Sequence, residues 1–79
     1  MKLPRDASGR DVVKALCRDW AYRVVHQVGS HVILQTEEPL PHRLSVPDHN
    51  PIRPGTLNSI VRDVARHKGV DRLRIMQTL

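Results

Sequence analysis

The stretch of sequence that decides the fold is Tyr22-Arg23-Val24-Val25-His26-Gln27-Val28-Gly29-Ser30-His31-Val32-Ile33-Leu34-Gln35. Two β-branched runs, 22–28 and 32–35, flank the pair Gly29-Ser30, and each run is typical of a strand. A Gly-Ser pair between two strands predicts the two-residue turn of a hairpin. This turn places His31 at the start of the returning strand. An imidazole beside a tight turn is accessible and can change charge near neutral pH.

The predicted turn also assigns the two faces of the hairpin. Val28 lies opposite His31, and His26 lies opposite Ile33. The face of His31 then carries Val24, His26, Val28 and Ile33, and the other face carries Val25, Gln27, Val32 and Leu34. Both faces are rich in β-branched residues, whereas an antiparallel sheet with one solvated face alternates more cleanly. We therefore expect the second face to be partly covered by something outside the chain.

A helix is predicted before the hairpin, after a short lead-in over residues 1–7. Ser8 is the expected N-cap, and Asp11 three positions later completes a capping box. The apolar positions of this helix follow helical spacing: Val12, Val13, Leu16, Cys17 and Trp20. Arg10, Lys14 and Arg18, spaced four apart, form a basic ridge on the opposite face. This ridge is either an ordinary solvated surface or a phosphate-contacting one.

The remainder of the chain predicts a third strand over 42–46, a second helix and a short terminal helix. Prolines after the third strand end it because they cannot continue a ladder. The second helix has an apolar face, a basic outer surface and a stop at Gly69: Leu57, Ile60, Val61, Val64 and Ala65 face the core, and Arg62, Arg66, His67 and Lys68 face outward. Asp71 is expected to cap the terminal helix, whose apolar residues are Leu73, Met76 and Leu79.

The predicted fold class is therefore α+β. The two main helices must bury their apolar faces on one face of a three-stranded antiparallel sheet. This is the α-β-β-β-α arrangement of double-stranded-RNA-binding domains, with a short C-terminal helix added. A chain of 79 residues has room for one domain, which we assign to residues 1–79.

The charge of the chain favours a polyanionic partner. Thirteen Lys and Arg residues stand against eight Asp and Glu, for a formal net charge of +5, and ten of the thirteen are arginines. Arginine matches phosphate oxygens in a bidentate manner, so the bias favours nucleic acid; an acidic protein partner is the alternative. Trp20 and Tyr22 are the only aromatic residues, which argues against a base-stacking sheet surface and favours contacts to backbone and 2′-hydroxyl groups.

Several chemistries are not supported by the sequence. The five histidines lack the spacing of a structural zinc site, so we predict no metal. Cys17 is the single cysteine and lies on the apolar face of its helix, which argues against a thiol nucleophile and fits a reducing compartment. No glycine-rich phosphate loop, no apolar run of about 20 residues and no signal region in residues 1–4 is present. We therefore predict a cytoplasmic protein without a small-molecule cofactor or a membrane partner.

The chemistry that remains is metal-free proton transfer on RNA. His31 could remove the proton of a 2′-hydroxyl group while Arg or Lys stabilises charge at phosphorus. The alternative is a structural role in which the imidazole packs or caps the turn. His49 is a possible second proton carrier, although capping of the third strand's end is the favoured interpretation.

Several segments in order then carry a family resemblance. They are Ser8-Gly9-Arg10-Asp11-Val12-Val13-Lys14-Ala15-Leu16, the hairpin with Gly29-Ser30-His31, Val46-Pro47-Asp48-His49-Asn50-Pro51, and Gly55-Thr56-Leu57-Asn58-Ser59-Ile60-Val61-Arg62. The chain resembles the HicA (YcfA-like) toxin family over nearly its whole length. The resemblance implies a fold like that of double-stranded-RNA-binding domains, ribosome-independent cleavage of mRNA, and a HicB-like antitoxin that covers the active site. His31 matches the catalytic histidine of the family's Gly-Ser-His motif, and Gly29 and Ser30 match its other two positions.

One position departs from the family pattern. The family usually has glycine before the aromatic residue that opens the first strand, whereas Ala21 stands here before Tyr22. If this position requires a positive φ, the alanine is strained by roughly 1 kcal/mol. A non-catalytic double-stranded-RNA-binding module and an inactive toxin relic remain as alternatives to the endoribonuclease.

Overall fold

The computed structural model describes residues 7–79 and has the element order that the sequence predicts. The elements are α1 (Gly9–Asp19), β1 (Arg23–Val28), β2 (His31–Thr36), β3 (His42–Pro47), α2 (Pro54–Lys68) and α3 (Arg72–Met76). The three strands form one antiparallel sheet in the order β1-β2-β3. Of the predicted lead-in over residues 1–7, only Ala7 lies within the described residues.

The predicted capping box defines the start of α1. The Ser8 hydroxyl accepts a hydrogen bond from the Asp11 amide at 3.1 Å, and the Asp11 carboxylate accepts one from the Ser8 amide at 3.1 Å. These two hydrogen bonds lower the pKa of the Asp11 carboxyl group. Two of the free amides at the helix N-terminus are thereby satisfied, which sets the residue at which the helix begins.

The corner between α1 and β1 depends on a residue with left-handed backbone. Ala21 has φ of 60°, so the condition under which this alanine is strained is met. The amide of Tyr22 donates to the Leu16 carbonyl at 3.2 Å, and the Tyr22 side chain is only 3% exposed. The left-handed conformation, which costs a non-glycine residue roughly 1–2 kcal/mol, turns the chain so that the tyrosine enters the core.

The hairpin has the predicted turn but not all of the predicted faces. Val28 pairs with His31 and His26 pairs with Ile33, as expected. A β-bulge between Val24 and His26 then changes the alternation of β1, and Val24 pairs with Leu34. The assignment of Val24 to the face of His31 was therefore wrong. Because a bulge sets two residues against one, it moves every residue beyond it to the opposite face.

The hydrophobic core lies between the sheet and the helices. The predicted apolar face of α2 is buried in full, and it belongs to the same core cluster as Leu16 of α1 and Leu34 and Val46 of the sheet. In α3, Asp71 caps the helix through the Leu73 amide at 3.2 Å, as predicted, but Leu73 is 54% exposed and Ile75 is buried instead. Residues 73 and 75 lie almost on opposite sides of a helix with 3.6 residues per turn, so only one can face the core.

The first turn of α1 lies very close to the backbone at the end of β3. The Gly9 amide donates to the His49 carbonyl at 2.8 Å, and Gly9 is buried. A Cβ atom at Gly9 would overlap the Pro47 carbonyl oxygen and would lie 2.9 Å from the Asp48 Cα atom. Because both neighbours are backbone atoms, they cannot rotate away from an added methyl group.

We predict that Gly9→Ala destabilises the protein by roughly 1–3 kcal/mol, the usual cost of overpacking. The matched control is Gly55→Ala in α2, where an added Cβ meets nothing within 4 Å. This control should be neutral or should stabilise the fold by roughly 0.4–1 kcal/mol. Urea unfolding of both variants measures the difference, and equal midpoints would contradict the close contact at Gly9.

Candidate functional site

The turn before His31 holds its imidazole at one end of the sheet. Gly29 has φ of 58°, a left-handed conformation that favours glycine, and Gly29-Ser30 is the two-residue connection between β1 and β2. His31 is the first residue of β2 and is exposed. Its Nδ1 atom lies 3.2 Å from the Ser45 hydroxyl on β3. One ring nitrogen therefore has a hydrogen-bond partner on β3, and Nε2 is the ring nitrogen left for a ligand.

The turn is also tied to the end of β3. The Ser30 carbonyl accepts a hydrogen bond from the Asp48 amide at 2.6 Å, and the Asp48 carboxylate lies 3.8 Å from Arg10 Nε. Together with the bond from the Gly9 amide to the His49 carbonyl, these contacts connect the turn, the end of β3 and the start of α1. His49 is exposed, and its backbone carbonyl, rather than its ring, makes the contact with α1.

The three cations of the predicted basic ridge lie in two different surroundings. Arg10 and Lys14 line a groove of about 250 Å³ between α1 and β1, together with Asp48. Arg18 is at the other end of α1, where it donates to the Asp19 carboxylate at 2.8 Å and to the Thr78 carbonyl at 3.0 Å. The structure therefore brings Arg10 and Lys14, but not Arg18, close to residues that anchor the turn.

A second group of titratable side chains lies at the opposite end of the sheet. Tyr22 Oη is 2.9 Å from His42 Nδ1, and the rings of His42 and His67 are stacked with centroids 4.4 Å apart. His67 Nε2 donates to the Leu40 carbonyl at 2.8 Å. The Lys68 ammonium group lies 4.9 Å from the centre of the Tyr22 ring and donates to the Glu38 carbonyl at 2.6 Å.

Sequence reasoning missed this second group. His67 and Lys68 were expected on the outer surface of α2, but both are half-buried. The alternation His42, Leu44 and Val46 was a usable signal, because it puts His42 on the helix-facing side of β3. The partners of that ring on α2 depend on tertiary packing, which the pattern alone does not contain.

Burial controls the ionisation of the second group. It raises the pKa of Tyr22 to about 12, with the Asp63 carboxylate acting in the same direction. It lowers the pKa of His42, to which the neighbouring His67 contributes, and it lowers the pKa of Lys68. Since the polar atoms are also hydrogen-bonded within the fold, this group stabilises the end of the sheet, and few of its polar atoms are available to bind a ligand.

Other reactive groups are less well placed. Burial raises the pKa of the half-buried Cys17 thiol, which disfavours the nucleophilic thiolate. Within residues 7–79, no three His, Cys, Asp or Glu side chains form a group that could hold a metal ion. No helix in that part of the chain is both long enough and apolar enough to cross a membrane.

Comparison with protein families identifies the group to which this chain is related. The model of the HicA toxin of bacterial toxin–antitoxin systems matches residues 9–65. The chain belongs to the HicA toxin family. Searches of curated proteins and of solved structures gave no significant match. A toxin of such a system is paired with an antitoxin, so a protein partner is implied.

The part of the chain that matches the HicA family model contains all of the polar residues described at the turn end of the sheet, but not all of the second group. It includes Arg10, Lys14, His31 and Asp48 at the turn end of the sheet, and it stops at Ala65. His67 and Lys68, which complete the group at the opposite end, lie beyond the match. In this HicA protein, the exposed His31 and its neighbours form the candidate site.

We predict that the second group makes the free energy of unfolding depend on pH, at pH values above those at which carboxylates titrate. The folded state lowers the pKa of His42. The contribution of neutral His42 to the free energy of unfolding is therefore complete above the unfolded-state pKa of about 6.5, and it is lost as pH falls through the lower pKa of the folded state. Urea unfolding between about pH 7 and pH 5 should show this loss. His42→Phe should reduce the pH dependence, whereas His26→Phe, at an exposed position, should leave it unchanged. The same slope in both variants would contradict this assignment.

Proposed function

We propose that this protein is a metal-independent endoribonuclease toxin that cleaves mRNA, with His31 as its general base or acid. The observation that carries the proposal is the exposed imidazole of His31, held at Nδ1 by Ser45 beside a turn anchored to β3. Membership of the HicA toxin family supports it, because the matched residues include this turn. As mRNA is the substrate, we place the protein in the cytoplasm.

The reaction needs a proton acceptor at the RNA 2′-hydroxyl group. In our proposal, Nε2 of His31 takes this proton while the 2′-oxygen forms a bond to the adjacent phosphorus. The bond from phosphorus to the 5′-oxygen then breaks, and the leaving oxygen takes a proton from solvent water. Ser45 acts as a positioning residue, since its hydroxyl group holds the other ring nitrogen at 3.2 Å. General acid–base assistance of this kind typically contributes about 10²–10⁴-fold to the rate.

Arg10 and Lys14 are the cations that we assign to the RNA backbone. Both are exposed, and both border the groove that Asp48 connects to the turn. The ion pair between Arg10 and Asp48 is long, 3.8 Å, and its Arg10 side chain is 82% exposed, so it competes weakly with phosphate. Arg18 belongs to the same predicted ridge, but its guanidinium is already engaged by Asp19 and the Thr78 carbonyl.

We assign the outer face of the hairpin to a HicB-like antitoxin. Every residue of β1 is exposed, Val28 is 57% exposed, and His26 and His31 lie on the same face. Exposed Val28 beside a proposed catalytic histidine gives this face an apolar contact that a protein partner can cover. Binding there would exclude RNA from His31 at the same time.

The first test compares His31→Ala with His26→Ala, a second exposed histidine on the same sheet face. Purified wild-type protein should cleave single-stranded RNA in the presence of EDTA. His31→Ala should lose about 10²–10⁴-fold in rate, because the proton acceptor is removed. His26→Ala should retain activity, and circular dichroism should show the same fold for all three proteins. Equal cleavage by wild type and His31→Ala would overturn the assignment, and RNA binding without any cleavage would favour a non-catalytic RNA-binding module.

The second test uses the salt dependence of RNA binding. Arg10→Gln and Lys14→Gln should each lower the slope of log affinity against log salt by about 1, since each removes one phosphate contact. Arg18→Gln should change the slope less, because Asp19 already neutralises its charge. Fluorescence anisotropy in the His31→Ala background measures binding without loss of substrate. If all three substitutions changed the slope equally, the separation of Arg10 and Lys14 from Arg18 would be wrong.

A further inference from the structure

The face of the sheet that carries His31 has cations of its own. His31 and Gln35 are four residues apart on β2, so they lie on one face, whereas Leu34 is buried on the other. Arg43 of β3 and Arg23 of β1 both pair with Gln35, so they share the face of His31. We call this side of the sheet the open face, because α1 and α2 pack against the opposite side.

We propose that Arg43 binds a phosphate neighbouring the one at which His31 acts, so that a single strand of RNA runs along the open face from the turn toward Arg43. The inference rests on the proposed function, because it takes RNA as the ligand and His31 as the reacting residue. It deepens that function by giving the substrate a path on the face of the imidazole.

The cations of α1 cannot supply this contact. Arg10 and Lys14 line a groove together with Val24 and Val32, which lie on the helix-facing side of the sheet. These two cations reach RNA only where the strand has passed the edge of the sheet. Phosphates that lie along the open face therefore need a partner on that face.

The guanidinium group of Arg43 is oriented but keeps its charge. Its Nε and Nη2 atoms both donate to Gln35 Oε1, at 3.0 and 2.6 Å. Gln35 is neutral, so it holds the guanidinium without neutralising it. Of the five N–H donors of an arginine, two are used here and three remain for a ligand. A guanidinium that is already oriented loses less conformational entropy when it binds a phosphate through two hydrogen bonds.

A chain of hydrogen bonds fixes the orientation of Gln35 itself. Its Nε2 atom donates to the Glu37 carboxylate at 2.8 Å, which turns Oε1 toward Arg43. The same carboxylate oxygen accepts from Arg23 at 3.3 Å. Glu37 thus neutralises Arg23, while Arg43 at the other end of the chain has only the neutral amide as its partner. Gln35 is a positioning residue for Arg43.

The charge of the open face suits a polyanion. The three strands contain no Asp or Glu, and Glu37, which directly follows β2, is already engaged by Arg23. Arg43 is exposed and makes no ion pair within residues 7–79. An uncompensated guanidinium on a surface without carboxylates matches a phosphate group, and RNA supplies one phosphate per nucleotide.

The spacing between Arg43 and His31 suits neighbouring phosphates. Arg43 lies two residues before Ser45 on β3, roughly 7 Å along the strand, and the Ser45 hydroxyl lies 3.2 Å from His31 Nδ1. Ile33 pairs with Ser45 and is half-buried between the two positions. An apolar side chain between a proton acceptor and a cation suits a ribose or base that lies between two phosphates.

The test measures binding of labelled oligouridylate to full-length His31→Ala protein by fluorescence anisotropy at several salt concentrations. Arg43→Gln should weaken binding roughly 3- to 10-fold at low salt and lower the slope of log affinity against log salt by roughly 0.7–1, the effect of one phosphate contact. Arg66→Gln is the matched control, because Arg66 is exposed on α2, across the sheet, and makes no ion pair within residues 7–79. It should leave both values nearly unchanged.

Two further variants separate the charge of Arg43 from its orientation. Arg43→Lys keeps the charge without the planar fork, so it should keep the salt slope and weaken binding less than Arg43→Gln. Gln35→Leu removes the acceptor and leaves the arginine in place. It should weaken binding roughly 2- to 10-fold, the effect of immobilising one side chain on binding, with an unchanged slope.

Three results would overturn the path. Equal effects of Arg43→Gln and Arg66→Gln would mean that the attraction is spread over the whole surface. An unchanged affinity of Arg43→Gln would leave the open face to a protein partner alone. A Gln35→Leu variant that binds like its parent would show that Arg43 is not held for a ligand.

The outcome for the path is separable from the outcome for the nuclease. Cleavage by wild-type protein, with RNA affinity unaffected by Arg43→Gln, would support the nuclease and overturn the path. An affinity that depends on Arg43 but not on Arg66, in a wild-type protein that cleaves no RNA, would support binding on the open face and overturn the nuclease. Absence of RNA binding would overturn the path as well.

Discussion

The first turn of α1 lies directly against the backbone that leaves β3, and the rest of the structure depends on this contact. It is possible only because Gly9 has no side chain, so the Gly9 amide reaches the His49 carbonyl. The next residue, Arg10, is thereby placed beside Asp48, whose amide holds the turn at Ser30. Backbone hydrogen bonds thus join helix, strand end and turn, and His31 follows directly after the turn. The position of a surface histidine is in this way fixed by backbone contacts on the other side of the sheet.

The two ends of the sheet show how environment determines what the same residue types do. At one end, His42 and His67 are stacked, hydrogen-bonded and partly buried, so burial lowers the pKa of His42. At the other end, His31 is exposed and has a single side-chain partner among residues 7–79. A buried, paired imidazole contributes to stability, whereas an exposed one with a fixed orientation can exchange protons with a ligand. The HicA family match contains the exposed histidine and ends before His67.

Local patterns account for most of what the sequence predicts correctly. The capping box at Ser8, the apolar face of α2 and the pair Gly29-Ser30 are each specified by residues close together in the chain. The bulge at Val24 was not predicted because two adjacent valines are compatible with either face of a strand. The surroundings of His67 depend on contacts with β3 and the loop before it. For the site, the sequence predicts the position of His31, but the proximity of Asp48 to the turn is a result of tertiary packing.

The bulge in β1 has a consequence for how this protein behaves among copies of itself. β1 is an edge strand with all six residues exposed, and several of them are valines, a composition that favours strand-to-strand aggregation. The bulge interrupts the regular row of amides and carbonyls and increases the local twist, so a second straight strand cannot pair along the whole edge. An exposed edge strand that is rich in valine is therefore present without a straight row of backbone groups for a second copy to pair with. One extra residue in the strand separates two properties that otherwise occur together, an exposed apolar surface and pairing with identical chains.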